Sequence, residues 1–160
     1  MSPSLLVKKN WYHKMFYMFY VIKNKDNKNK ISYIKSPFFK CFNKNQTNPI
    51  NINLPDTFTP WHLDINKQKD KYFMLCNGYW SKPPLWGVKE YNKYAVLLAT
   101  SKDLKNWNVV TNILNCNNIP SSSCKYVYRS TSLINDKYII IWYSFVNNYD
   151  EWKIGIKKLY

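Results

Sequence analysis

Three times along this chain a short strand-like segment leads through a polar turn into a very apolar, aromatic strand, and a third strand follows after a loop. The first unit reads SLLVKK over 4–9, MFYMFYVI over 15–22 and ISYIK over 31–35. The second reads WHLDI over 61–65, YFMLC over 72–76 and YAVLLA over 94–99. The third reads YVYRSTSLI over 126–134, YIIIWY over 138–143 and WKIGI over 152–156. The strand reading rests on β-branched and aromatic enrichment. The second strand of each unit is apolar at successive positions, as a sheet sandwiched between neighbours requires. No segment carries a sustained 3.6-residue stripe, so helix is expected nowhere.

A strand-built period of about 60 residues points to an array of small sheets, and β-propeller blades are the architecture that fits. The expectation is one all-β domain over 1–160, with blade-like units at roughly 1–50, 59–112 and 124–160. The segments 4–9, 61–65 and 126–134 would then be the innermost strands. Function would gather at their axial ends. The stretch 41–59, with Pro49 and Pro55, reads as a connection between units with room for one outer strand, and 112–125 as another connection.

Composition narrows the classes. The chain is 46% hydrophobic and 18% aromatic, so it can build a core. It has only three glycines, and its abundant asparagines must serve the turns. No apolar run approaches the roughly 20 residues of a membrane-spanning helix. The first nine residues lack the length and cleavage pattern of a signal peptide. Localisation is otherwise open. The net charge of +15 invites a nucleic-acid reading, but Arg129 is the single arginine, and the preferred residue for bidentate phosphate and base contacts is arginine. Enriched Lys, Asn, Ile and Tyr fit an AT-biased gene, and nucleic acid is not the expected partner. Cys41, Cys76, Cys116 and Cys124 lack C-x-x-C spacing, and the two histidines lie far apart. No metal or cofactor is therefore expected. A Cys116–Cys124 disulfide is left open.

The second unit ends in a local device. In Ser101-Lys-Asp-Leu-Lys-Asn-Trp107, the Ser and Asp side chains can accept backbone N–H groups and close a turn, letting Leu104 and Trp107 fold back onto the sheet. A worn copy, Ser36-Pro-Phe-Phe-Lys-Cys-Phe42, stands at the same offset in the first unit, with Phe39 for Leu104 and Phe42 for Trp107.

This combination of a first strand, a Tyr-rich second strand and a third strand running into ATSKDLKNW over 99–107 resembles the five-bladed β-propeller glycosidases, the arabinanase, β-xylosidase, invertase and levansucrase type. The segment 128–144 also looks like one of their blades. The resemblance spans nearly the whole chain and implies an incomplete five-bladed propeller of about three blades, a C-terminal portion. It implies further that the first-blade aspartate of such enzymes would lie in two missing blades.

Glycoside hydrolysis needs two carboxyls flanking the bond. Seven Asp and two Glu are available. Asp70, Asp103 and Asp136 sit at turn positions, Asp26 in a lysine-rich turn, Asp56 in a connection, and Glu90, Asp150 and Glu151 in loops. Asp64 differs, because it lies on an axial strand. Strand alternation puts His62 and Asp64 on one face and Trp61, Leu63 and Ile65 on the other. His62 and Asp64 are either a polar pair satisfying a blade interface or a pair facing ligand, with Asp64 the candidate catalytic carboxyl. Tyr128 and Arg129 hold the corresponding place in the third unit, and Arg129 either orients a sugar or pairs with a carboxylate such as Asp64. Trp61, Trp80 and Trp86 are candidates to stack on a sugar ring or to pack locally. The expected function is carbohydrate recognition without catalysis by the isolated chain. The alternatives are a glycoside hydrolase once missing blades complete it, and a basic polyanion-binding or protein-interaction scaffold. Carbohydrate, the missing blades and self-association are the expected partners.

Overall fold

Among the described residues, twelve strands and one turn of 3-10 helix, Lys44–Gln46, account for the regular structure, and the strands fall into three sheets. The computed structural model describes residues 3–9, 13–23, 29–81, 93–119 and 124–160. The first sheet holds β1 (Ser4–Lys9), β2 (Lys14–Ile22), β3 (Lys30–Ser36) and the short β4 (Asn48–Pro49), in that order. The second holds β6 (Phe58–Gln68), β7 (Lys71–Trp80), β8 (Tyr94–Ser101) and β9 (Asn106–Leu114), with the two-residue β5 (Asn51–Ile52) added in parallel at its outer edge. The third holds β10 (Cys124–Ile134), β11 (Ile139–Asn147) and β12 (Trp152–Leu159). Every other pairing is antiparallel. The first strands β1, β6 and β10 are the edges of their sheets and lie beside one another, as the innermost strands of successive blades do. The fold is all-β, an incomplete propeller of three blades.

Strand alternation explains how the blades stack. In the middle blade Leu63, Ile65, Tyr72, Met74 and Cys76 face the first blade and meet Leu6, Phe19, Val21 and Tyr33 there. Leu75, Val96, Leu98 and Ile113 face the other way and meet Val127, Ile141, Tyr143 and Phe145 of the third blade. A sheet buried on both sides needs apolar residues at odd and even positions alike, which the continuous hydrophobic runs supply. Cys76 belongs to this packing, and full burial pushes its thiol up to about 12, so it acts as a small hydrophobe.

The Ser101 turn forms as its residues suggest. Ser101 Oγ accepts from the N–H groups of Asp103 and Leu104, and Asp103 Oδ1 accepts from those of Lys105 and Asn106. These bonds hold Leu104 at φ 67°, a left-handed conformation that costs a branched residue energy. Trp107 is buried, its indole N–H donates to the Leu104 carbonyl at 3.0 Å, and its ring meets Phe19 of the first blade edge-on at 6.3 Å. The first-unit copy is only half made. Ser36 Oγ accepts from Phe38 N–H, but Phe38 stands where the turn needs a carboxylate, so no side chain gathers the next two amides, and Cys41 N–H donates instead to the Phe38 carbonyl at 3.2 Å. Phe39 is exposed where Leu104 is buried, and Phe42 is half-buried. Cys116 and Cys124 are joined in a disulfide that ties the end of the second blade to the start of β10.

Candidate functional site

β6, β8, β10 and β12 all start at one end of the molecule, and β7 returns to it. Each of these strands carries an aromatic residue there. Trp61, Tyr79, Tyr94, Tyr126, Tyr128 and Trp152, with Gly78, line a cavity of about 250 Å³ between the second and third blades. The rings touch in sequence. Trp61 meets Tyr79 at 5.9 Å, Tyr79 meets Tyr94 at 6.2 Å, and Tyr94 meets Tyr126 at 5.2 Å across the blade boundary. Tyr126 meets Trp152 at 6.2 Å, and Trp152 meets Tyr128 at 5.4 Å. Tyr128 meets His62 at 5.4 Å, and His62 returns to Trp61 at 6.3 Å. Seven rings make a closed circuit, and most consecutive rings meet edge to face or tilted, the arrangement that aromatic quadrupoles favour.

Two backbone features build this wall. The β6–β7 register slips between Pro60 and His62, a bulge that leaves Trp61 without a direct partner. A bulge re-aims side chains. Strict alternation sends Trp61 to the face of Leu63 and Ile65, and the bulge instead brings it into the cavity with Tyr128. Gly78 allows the close approach behind it, since a Cβ there would overlap the Thr59 carbonyl and the Phe58 ring.

His62 is buried, and among the described residues neither ring nitrogen has a hydrogen-bond partner. Burial, with the Arg129 charge adding to it, holds its pKa below the usual histidine range, so the ring is neutral at pH 7. His62 and Asp64 share a face without bonding to each other. Asp64 Oδ2 accepts from Ser132 N–H at 2.8 Å, Ser132 Oγ–H at 3.0 Å and Asn66 Nδ2 at 2.9 Å. Three residues beyond Trp61, it stands about 10 Å further down β6 and outside the cavity lining. A second seam joins the same blades: Ser130 Oγ donates to Asn77 Oδ1 at 2.9 Å, with both side chains buried.

The structure therefore gathers Trp61, His62 and Tyr128 and separates the other candidates. Trp80 packs edge-on against Phe58 at 5.0 Å and is not in the wall. Arg129 points to the outer face of the third blade, in a shallow groove with Trp142 and Ile154, and makes no ion pair among the described residues. Its pairing with Asp64 is not realised. Trp86, Glu90 and Asp26 lie outside the described residues. Sequence reasoning missed Tyr79, Tyr94, Tyr126 and Trp152. Their signal was present, because each sits where a strand starts or ends at the same end of its blade. No cluster of His, Cys, Asp and Glu among the described residues could hold a metal ion.

No family model matches the sequence, and no curated protein matches it significantly. Solved structures do match. A glycoside hydrolase aligns with 91% of this chain at a TM-score of 0.62 and 19% identity, with 40% of its own length covered. The Bombyx mori GH32 β-fructofuranosidase aligns with 98% at 0.66 and 16% identity, with 33% of its length covered. An exo-1,5-α-L-arabinanase from a bovine ruminal metagenomic library aligns with 99% at 0.55 and 11% identity, with 52% covered. The chain has, in part, the fold of the five-bladed propeller glycosidases, and it spans about a third to a half of the length of these structures.

Proposed function

We propose that this chain is a carbohydrate-recognition portion of a glycosidase-like propeller, and that by itself it binds sugar without hydrolysing it. The observation that carries this reading is the aromatic cavity, whose described lining comes entirely from two blades of this chain. A sugar ring presents C–H faces that lie against aromatic rings, and the four tyrosine hydroxyls and two indole N–H groups of the wall supply partners for its hydroxyls. Hydrolysis needs a carboxyl on each side of the bond, and the described cavity lining contains none.

The hydrolase reading has one observation in its favour: Asp64 stands on an innermost strand. In a propeller completed by two further blades it would be the acid or auxiliary carboxyl, with its partner supplied from those blades. Either those blades or a second copy would cover the apolar outer faces of the first and third blades. The test is to incubate the purified chain with arabinan, fructans and a panel of aryl glycosides. Binding without release of product is expected. Turnover that disappears in Asp64→Asn would overturn the non-catalytic reading.

A further inference from the structure

The cavity between the second and third blades is bordered by a chain of aromatic contacts. Its aromatic circuit has no gap among the described residues. One residue before Gly78 on β7 and two beyond Tyr128 on β10, the buried Ser130–Asn77 hydrogen bond bolts the two blades together. A polymer that threads a site needs two openings, whereas a wall that closes on itself beside a bolted seam offers one mouth. The volume of about 250 Å³ lies below the range that accepts drug-sized ligands and suits a single ring.

The chemistry of the wall narrows the ligand again. The polar groups of its described lining are tyrosine hydroxyls and indole N–H groups, and no described lining residue carries a charge at neutral pH. A carboxylate or sulfate brought inside would lose its water without gaining a cation from the described lining, which is costly. One lysine, Lys93, stands over the Tyr79 ring at 5.9 Å, but it is not part of the lining. The cavity also reaches away from the innermost strands, to Tyr94 on β8 and Trp152 on β12, the third strands of their blades. We infer that the cavity takes one uncharged sugar residue at the end of a glycan chain, at an off-axis position between two blades. The inference rests on the carbohydrate reading above and adds the direction of entry, the size and the charge of what is bound.

Linear and cyclic oligosaccharides of one sugar and one linkage separate the two ideas, because only the linear form has ends. The whole chain is titrated, with tryptophan fluorescence as the readout, using maltohexaose against cyclomaltohexaose and inulohexaose against cycloinulohexaose. Hexagalacturonate tests charge. At least one linear neutral hexamer should bind saturably, with its cyclic counterpart and hexagalacturonate about tenfold weaker or worse, and Trp61→Ala should lose about tenfold for the linear form. Trp61 is 43% exposed, so its truncation spares the core, and circular dichroism checks the fold. Tyr128→Phe, which keeps the ring and drops the hydroxyl, is the second variant and should lose less. A cyclic hexamer binding as tightly as its linear counterpart overturns the chain-end inference and leaves the carbohydrate reading standing. Hexagalacturonate binding as tightly as the neutral hexamers overturns the charge claim. Failure of every hexamer to bind overturns both the inference and the reading beneath it.

Discussion

Asp103 and Asp64 show how one carboxylate can be spent on architecture. Asp103 receives the N–H groups of Asn106 and Lys105 and the Asn106 side chain, and these bonds draw its pKa from the usual 3.8 down to about 2. A lowered folded-state pKa means that its contribution is complete above the ordinary carboxylate range and is lost as pH falls from about 4 toward 2. Asp136 and Glu151, lowered by lysine neighbours and side-chain hydrogen bonds, act in the same direction. Asp103→Asn should therefore lose less stability than the native chain across that window, read as thermal midpoints at a series of pH values. An equal acid slope in both would show that the turn carboxylate contributes nothing. Asp64 could be singled out in the sequence because it lies alone on an axial strand. Its partner Ser132 could not, since 68 residues separate them and only blade stacking brings them together. The place of Trp61 was misleading for a local reason, because alternation cannot foresee a bulge.

At the scale of elements, the period-60 repeat and the both-face hydrophobicity of the second strands were legible, because every blade must solve the same packing problem. β9 was less so. Its run NWNVVTNIL mixes polar and apolar residues, since an outer strand packs along only part of its length. The Ser101 turn was readable in full and its first-unit copy only in part, and the difference comes down to Phe38 in place of an aspartate. Trp107 is where turn and blade meet, held by the Leu104 carbonyl and by Phe19 of the neighbouring blade. Trp107→Ala should cost about 4 kcal/mol, as truncations of large buried rings do. Denaturant midpoints measure it, and a cost below about 1 kcal/mol would mean that the contact between the first two blades does not depend on this ring.

Across the whole molecule, among the described residues, the faces between blades are covered, and the two outer faces are covered only in part. The third blade leaves Leu133, Ile154 and Ile156 exposed, and the first leaves Leu5 and Val7. Exposed apolar surface of this extent favours association. Sedimentation velocity on the isolated chain should show concentration-dependent self-association, reduced in an Ile154→Glu, Ile156→Glu double variant. A compact monomer at all concentrations would mean that these faces tolerate water. The described wall of the aromatic cavity, by contrast, comes from two blades of this chain, and the sugar binding proposed for it needs no further blade. A crystal structure of the chain soaked with an oligosaccharide that it binds tests this most directly. The account predicts intact oligosaccharide, its terminal residue seated between Trp61, Tyr128 and Trp152 and the rest leading out to solvent. Sugar lodged instead beside Asp64 with the aromatic cavity empty, or a cleaved product in place of the intact chain, would contradict it.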